Sequence, residues 1–498
     1  MRGRAGGLAM VAVFVTALAL FGILGSVRAM DDDEGFYALF ARLVAEGRTP
    51  YLDFFSSQNF LLPYVYAPAV WLAGPSWYAL RWLSAVFTAL LAALIYGHVR
   101  ARTDRASLAV LAAALFMTCT FTITWYTTVK TYAWTALCIF AAYALVTGGG
   151  LAGAFGAGVL LALAVDARVY LVVLVPLYAW WAWRAGPAPS RGRVGAFAGG
   201  VALGLLPGAV FLWRGADAYS FAILRSHGVL RGAHGLVGDF GQKAFVALQA
   251  LGMAPTWGTS GIQFPLLLVL LGAGVLAARA RGGATARDAW PAPREAWVVG
   301  VLLAVSLLPT PAFLQYFAVT IPFLTVGAAL VVDGAWPRHT GGAARDAWVI
   351  AALLGLYFAH APLLLYRAFR TAADAPAGAV VTLPAARAVG HAVSELARGD
   401  GRPAVVFWSG YLFESRVSPL PGLEYHPGIT LVLDPARRAR YHLIAPDDIE
   451  RAIRERRVSV TVIGADTAEY LRVRFRPVLT ESGYVVRGRI GDVDLYGP

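Results

Sequence analysis

Apolar segments dominate this sequence and constrain its fold more than any other feature. A helix needs about 20 mainly apolar residues to cross a bilayer, and eleven segments of the chain approach that length. Hydrophobic residues make up 58% of the 498 residues and charged residues only 14%, a balance that excludes a soluble enzyme, a disordered chain and a collagen-like fibre. We predict a mainly α, polytopic membrane protein with eleven transmembrane helices: Leu8–Val27, Tyr78–His98, Ser107–Trp125, Tyr132–Thr147, Leu151–Val165, Val169–Trp183, Val194–Trp213, Ile262–Ala278, Ala296–Leu308, Phe313–Val332 and Ala347–Tyr366.

Charged residues divide the chain into two predicted domains. Residues 1–366 contain 38 charged side chains, whereas the much shorter segment 367–498 contains 33. We therefore predict a transmembrane domain over 1–366 and a small soluble α/β domain over 367–498. Its predicted helices are Ala385–Arg398, Pro446–Arg457 and Ala465–Phe475, its strands Ala404–Trp408 and Val458–Gly464, and its terminal hairpin Tyr484–Tyr496.

The loop charges predict how the chain is oriented. With the N-terminus in the cytoplasm, the inner loops carry 14 basic and 5 acidic residues, as the positive-inside rule expects. Eleven spans then place 367–498 outside. The first apolar segment is long for a signal peptide and Arg28 fits a cleavage site poorly, so we expect a retained helix. We expect no nucleic-acid binding from the loop arginines, and no disulfide or metal cluster from Cys119 and Cys138.

The first outer segment, from Arg28 to Trp77, is too long for a plain connector. It contains a predicted amphipathic helix, Glu34–Glu46, closed by Gly47, and an apolar stretch, Phe60–Ala73, that fits an interfacial helix better than a span.

Four adjacent carboxylates, Asp31-Asp32-Asp33-Glu34, open this segment. Such a cluster is stable when it is solvated, binds a cation or holds a proton. Hard oxygen ligands suit Mg²⁺, Mn²⁺ or Ca²⁺, and a carboxylate near a hydroxyl can act as a general base. A solvated turn that caps the next helix explains the composition equally well.

Within this segment, Asp33-Glu34-Gly35-Phe36-Tyr37 resembles the Asp-Glu-x-x-Tyr motif in the first outer loop of GT-C glycosyltransferases. These polytopic enzymes include protein O-mannosyltransferases and lipid A aminoarabinose transferases. Several further segments are similar to the family in order and placement: Gly47–Phe55, Gln58–Pro63, Ala79–Ser84, Ala164–Arg168, and Phe313–Tyr316 running into Ile321–Phe323.

The resemblance implies transfer of a sugar from a polyprenyl-phosphate carrier to an extracytoplasmic lipid, glycan or protein, with inversion, in a bacterial inner membrane. It implies Asp33 as general base, with Glu34 orienting it or sharing a divalent cation, Mg²⁺ or Mn²⁺. The family often has a second acidic residue where this chain has Lys130; Asp53 could supply that carboxylate instead. The implied substrate-binding residues are Tyr37, Asp53, Gln58, Arg81, Lys130, Arg168, Gln315 and Tyr316.

Two other functions remain open. A transporter or lipid flippase would need charged residues inside its spans, but the predicted helix centres are nearly free of charge. A non-catalytic partner in envelope assembly would keep the fold with a degenerate site, and Lys130 already departs from the family pattern.

Overall fold

The structure is a computed structural model that describes residues 2–185, 189–231, 235–254, 261–280, 294–335, 343–374, 382–464 and 467–498. It is mostly helical, at 73%, with one small sheet. The α-helices, in chain order, are α1 Arg2–Val27, α2 Glu34–Ala45, α3 Leu61–Ala73, α4 Trp77–Thr103, α5 Ala106–Met117, α6 Thr120–Trp125, α7 Thr131–Gly148, α8 Leu151–Ala167, α9 Leu174–Arg184, α10 Arg191–Gly204, α11 Leu206–Ser220, α12 Ser226–Arg231, α13 Gly235–Ala250, α14 Gln263–Ala280, α15 Arg294–Ser306, α16 Ile321–Ala335, α17 Ala343–Asp374, α18 Leu383–Leu396, α19 Pro435–Arg440, α20 Pro446–Arg454 and α21 Glu469–Glu481.

All eleven predicted apolar segments are helical, but the prediction of eleven spans is not confirmed. Among the described residues, four helices are long and apolar enough to cross a membrane, or five if α10 and α11, bent by 46°, form one span. Six more apolar helices have only 10–17 residues, fewer than the about 20 that a full crossing needs. The predicted span Ser107–Trp125 is broken between α5 and α6.

Close helix contacts depend on glycine at the interface between α8 and α10. A Cβ atom at Gly158 would lie 2.2 Å from the carbonyl oxygen of Phe197, and one at Gly200 would lie 2.1 Å from that of Phe155. Neither helix could approach the other so closely with a larger residue, as is common where membrane helices pack. This contact packs α8 tightly against α10, and Arg168 directly follows the last residue of α8.

Both predicted helices of the first outer segment are present, as α2 and α3. Gly47 follows α2 with a φ of 89°, a left-handed conformation that favours glycine. The apolar residues of α2, among them Phe36, Leu39, Phe40 and Leu43, are buried.

The C-terminal region contains a four-stranded sheet in the order β1-β2-β4-β3. The β1 and β2 strands are parallel and the other neighbours are antiparallel. The predicted terminal hairpin and the helices α18 and α20 are confirmed, whereas Ala404–Trp408 and Val458–Gly464 form shorter strands than predicted. The predicted helix Ala465–Phe475 is displaced to α21. The strands are β1 Val405–Val406, β2 Thr461–Ile463, β3 Val485–Ile490 and β4 Val493–Gly497.

The predicted domain boundary at residue 367 falls within α17, and a separate soluble domain stays a prediction. The region after it packs directly on the first outer segment. The indole N–H of Trp408 donates to the carbonyl of Asp32 at 2.9 Å, and the Trp408 ring stacks on Trp77. A Cβ atom at Gly35 would lie 2.7 Å from the backbone nitrogen of Gly410. The acidic turn is therefore held against the C-terminal region.

Candidate active site

Lys130 lies between two carboxylates of the acidic turn. Its Nζ is 2.6 Å from Asp31 Oδ1 and 2.7 Å from Asp33 Oδ2. The Lys130 side chain is only 1% exposed, whereas that of Asp33 is 41% exposed. Burial alone would lower the pKa of Lys130, but the Asp31 and Asp33 carboxylates raise it well above its usual value. The lysine therefore remains a cation at neutral pH.

Asp33 occupies the N-cap position of α2 but does not cap the helix. Its side chain accepts no hydrogen bond from the first turn. Glu34 makes the local contact instead, since its Oε2 accepts from the backbone N–H of Asp31 at 2.8 Å. Asp33 Oδ1 accepts no hydrogen bond from the residues that the structure describes. The simple capping interpretation of Asp33 is wrong, and one of its oxygens is open to a ligand.

Arg81 and Glu34 form a buried pair that uses the full hydrogen-bonding capacity of the guanidinium. Arg81 Nε and Nη2 donate to the two oxygens of Glu34 at 3.0 and 2.6 Å. The remaining N–H groups donate to the carbonyls of Gly25, Arg28 and Ala29 at the end of α1. Both side chains are fully buried.

Both carboxylate oxygens of Glu34 also accept hydrogen bonds from groups outside the pair. Besides Arg81 and Asp31, it accepts from the backbone N–H of Val129 at 2.8 Å. This geometry favours a positioning role for both residues over the predicted catalytic role of Glu34 and the predicted phosphate contact of Arg81, because all five donors of the guanidinium are engaged.

Arg168 lies in a cage of tyrosines beside the lysine. Its guanidinium carbon is 4.2 Å from the ring centre of Tyr132, 5.5 Å from that of Tyr170 and 5.2 Å from that of Tyr316. Nη1 donates to the Tyr170 hydroxyl at 2.8 Å, and Nε donates to the Thr131 hydroxyl. Nη2 makes no hydrogen bond within the described chain. The tyrosine rings cover the faces of the guanidinium, so its Nη2 edge remains available to bind an anion.

Tyr37 and Gln58 are brought together as predicted substrate-binding residues. The Tyr37 hydroxyl donates to Gln58 Oε1 at 2.9 Å. Burial raises the pKa of the Tyr37 phenol, while the field of Arg168 lowers it and that of Asp33 raises it. Tyr37 therefore lies close enough to both the predicted base and Arg168 to feel their charges.

Two other predicted residues do not join this group by any described contact. The exposed carboxylate of Asp53 accepts from the backbone N–H of Thr49 at 2.6 Å and closes a turn. Gln315 is half-buried beside Tyr316 and makes no hydrogen bond to described residues. Asp53 thus serves this turn, and its role as a second carboxylate beside Asp33 stays a prediction.

Tyr425 and His426 complete one wall of the site, and sequence analysis missed both. Tyr425 packs edge-on against Phe36 with ring centres 5.0 Å apart, and burial and the Asp33 carboxylate both raise the pKa of its phenol. His426 Nδ1 lies 3.2 Å from the Ser409 hydroxyl, and burial lowers its pKa to about 4, so the ring is neutral at pH 7. Their only sequence signal is a pair of titratable rings in a turn-rich segment.

The acidic turn does not fit a divalent cation. The predicted ligands Asp33 and Glu34 point to different cations, Lys130 and Arg81. No group of three or more His, Cys, Asp or Glu side chains suited to a metal ion occurs among the described residues.

The comparisons with known proteins give one informative result. No family model matches the sequence, and no curated protein sequence matches it. Among solved structures, ArnT from Cupriavidus metallidurans bound to undecaprenyl phosphate aligns with a TM-score of 0.68, at 12% identity, over 98% of this chain and 97% of that one.

This chain has the fold of ArnT. The apo form of ArnT aligns over 98% of both chains, at 12% identity and a TM-score of 0.65. An oligosaccharyltransferase from Archaeoglobus fulgidus is more distant, at a TM-score of 0.49, 13% identity and 74% of its own length. ArnT, a lipid A aminoarabinose transferase, is a GT-C glycosyltransferase. The sequence resemblance to that superfamily is thus confirmed at the level of the fold.

Proposed function

We propose that this protein is a multi-pass membrane glycosyltransferase that moves a sugar from a polyprenyl-phosphate carrier to an extracytoplasmic acceptor. The observation that carries the proposal is that the half-exposed Asp33 carboxylate pairs with Lys130, which shares the Tyr132 ring with Arg168, in a chain with the ArnT fold. Such a reaction needs a base to activate the acceptor hydroxyl and cations to bind the phosphate of the carrier. Asp33 could serve as the base, and Lys130 and Arg168 as the cations. The undecaprenyl phosphate bound to ArnT supports the choice of carrier.

In the proposed reaction, Asp33 acts as the general base. Its Oδ1 takes the proton of the acceptor hydroxyl while the acceptor oxygen attacks the anomeric carbon of the donor sugar. The bond from that carbon to the phosphate oxygen breaks, and the configuration inverts because attack and departure occur on opposite faces. The polyprenyl phosphate leaves with the electron pair of that bond.

Arg168 is the best candidate for binding the leaving phosphate. Its Nη2 is free of described hydrogen bonds, and the Tyr132, Tyr170 and Tyr316 rings fix its plane. A planar guanidinium held in this way suits phosphate oxygens. Lys130 adds a second positive charge, and preorganised cations of this kind stabilise the charge that develops on a leaving group.

Arg81 and Glu34 would act on the reaction only through position. Their buried pair ties the end of α1 to the start of α2, on either side of the acidic turn. The pair therefore holds Asp33 beside Lys130 and next to the space in front of Arg168. In this proposal the roles that the family resemblance implies for these two residues change: they support the base and do not touch the substrate.

The proposed location is the bacterial inner membrane, with the site and the C-terminal region outside. In that orientation the acceptor would be an envelope lipid, a glycan or a protein.

Two competing functions are a transporter or flippase, and a non-catalytic assembly partner. The centres of the four long apolar helices, such as Thr131–Gly148, lack charged residues, which favours chemistry at one surface.

The test is release of undecaprenyl phosphate from a panel of undecaprenyl-phosphate-linked sugars by the purified protein, with envelope lipid extract as acceptor. The expected result is release for one donor, with a matching labelled product. An enzyme-free sample and the Asp33→Asn variant are the controls. If no donor releases undecaprenyl phosphate, and undecaprenyl phosphate does not raise the melting temperature, the proposal fails.

A further inference from the structure

We infer that the Lys130 ammonium takes the place of a divalent metal ion between Asp31 and Asp33, so that this site excludes such a metal and works without one. The inference on catalysis rests on the proposed function, whereas the exclusion of a metal does not. It starts from the position of Nζ, 2.6 and 2.7 Å from one oxygen of each carboxylate.

The surroundings of Nζ suit an ammonium group and not a hydrated metal ion. The ring centres of Trp125 and Tyr132 lie 5.4 and 6.0 Å from Nζ. Aromatic faces attract an organic cation. Mg²⁺ instead keeps several waters in a close octahedron of oxygens, whereas Nζ lies beside two aromatic rings.

Of the other two carboxylates of the acidic turn, Glu34 is not available to a metal ion. Both oxygens of Glu34 are engaged by Arg81 and by the backbone N–H groups of Asp31 and Val129. The side chain of Asp32 makes no described hydrogen bond or ion pair and is exposed. A metal would therefore have Asp31, Asp33 and the exposed Asp32 as carboxylate ligands at most, and it would have to displace the lysine from the first two.

The electrostatics also oppose a metal beside the lysine. The Lys130 side chain is only 1% exposed, and it lies at the start of α7, where its backbone N–H donates to Thr128 at 2.8 Å. A divalent ion at the same carboxylates would face a buried positive charge a few ångströms away, and such repulsion is strong where water is excluded.

A tethered ammonium can also take over part of the work of a metal. An ammonium carries three N–H donors. Two of those of Lys130 point to Asp31 and Asp33. The third N–H makes no hydrogen bond to the described residues. It is available to a phosphate oxygen, so Lys130 would neutralise charge on the leaving group at a fixed position.

The test compares Mn²⁺ binding by wild type, Lys130→Met, Lys130→Arg and Lys243→Met, each purified in detergent and stripped with EDTA. Lys243 is the matched control because it is the other lysine of the sequence and makes an exposed contact to the Leu308 carbonyl. Binding is measured as loss of the EPR signal of free Mn²⁺, and folding as the melting temperature with and without Mn²⁺.

We expect wild type, Lys130→Arg and Lys243→Met to leave the Mn²⁺ signal unchanged, and Lys130→Met to reduce it by up to one ion per chain. If Lys130→Met folds poorly, Mn²⁺ should raise its melting temperature but not that of wild type. Specific Mn²⁺ binding by wild type, or a Lys130→Met variant that neither binds Mn²⁺ nor is stabilised by it, would overturn the inference.

Sugar transfer in EDTA separates this inference from the proposed function. Wild type should transfer at the same rate in EDTA and in added Mn²⁺. Transfer that disappears in EDTA and returns with Mn²⁺ overturns the metal-free inference while supporting the glycosyltransferase. Absence of transfer in both conditions counts against the proposed function, and the Mn²⁺ titration still decides whether Lys130 excludes the metal.

Discussion

Arg81 and Glu34 form a two-point ion pair with Nε–Oε1 and Nη2–Oε2 distances of 3.0 and 2.6 Å, and neither side chain is exposed. Removing one partner of such a pair leaves an uncompensated buried charge, which is costly, whereas replacing both with apolar residues is often tolerated. The pair therefore makes a prediction about stability that a phosphate-binding role for Arg81 does not make.

We predict that Arg81→Met and Glu34→Leu each destabilise the protein by about 3–5 kcal/mol, and that the double variant is much less destabilised than their sum. Melting temperature and denaturant titration in detergent measure this. Arg100→Met, which breaks the more exposed pair with Asp104, is the control and should change little. An Arg81→Met protein with wild-type stability and a raised KM for the lipid donor would contradict the positioning role.

Asp33→Asn should reduce sugar transfer by about 10²–10⁴-fold, because the amide keeps the shape of the side chain but cannot take a proton. The protein should still fold, since Asp33 does not cap α2 and Asp31 still pairs with the buried Lys130 when Asp33 is replaced. The measurement is the transfer rate per folded molecule.

Asp32→Asn is the matched control for this variant. Asp32 neighbours the base, yet its side chain is exposed and makes no described hydrogen bond. Asp31→Asn is a poorer control, since Asp31 shares Lys130 with Asp33. Equal transfer rates for Asp33→Asn and Asp32→Asn would show that the catalytic assignment of Asp33 is wrong.

Arg168→Lys should raise KM for the lipid-phosphate donor and lower kcat, because a lysine keeps the charge but loses the planar fork and the stacking on Tyr132. Loss of a charge-assisted hydrogen bond of this kind costs about 1.5–3 kcal/mol, or roughly 10- to 150-fold in kcat/KM. Arg416→Lys, on the exposed surface of the C-terminal region, provides the comparison. Unchanged kinetics in Arg168→Lys would remove Arg168 from the phosphate site.

An alkaline phosphatase fused after Pro498 should be active, because the loop charges predict that the C-terminal region lies outside and this reporter works only after export. A fusion after Gly149, in a predicted inner loop, should be inactive at the same expression level. Activity from the inner-loop fusion, or a stable and inactive C-terminal fusion, would reverse the predicted orientation.

Local patterns were enough to predict much of the helical fold and the position of Asp33. An apolar segment and a glycine that ends a helix are both patterns of neighbouring residues. The apolar segments form helices in the structure, and α2 ends just before Gly47 as expected. The number of spans was harder to predict, because hydropathy does not report where a helix breaks or bends, as between α5 and α6.

The partners of each charge could not be predicted in the same way. Arg81 borders an apolar segment, which suggested a surface cation, yet its partners are Glu34 and the end of α1. Tyr425 reaches the site from the far end of the chain. Such pairings depend on how distant segments pack, and a single sequence contains no periodic signal for them.

The hydrogen bond from Trp408 to Asp32 joins residues that are 376 positions apart. At about 5–20 residues per second, a ribosome needs roughly 20 to 75 s to make the second of these residues after the first. Throughout that interval the acidic turn has already been synthesised but lacks the wall that later covers it. A nascent chain thus acquires its complete site only near the end of translation, so early insertion of α1 and α4 does not by itself create a working site.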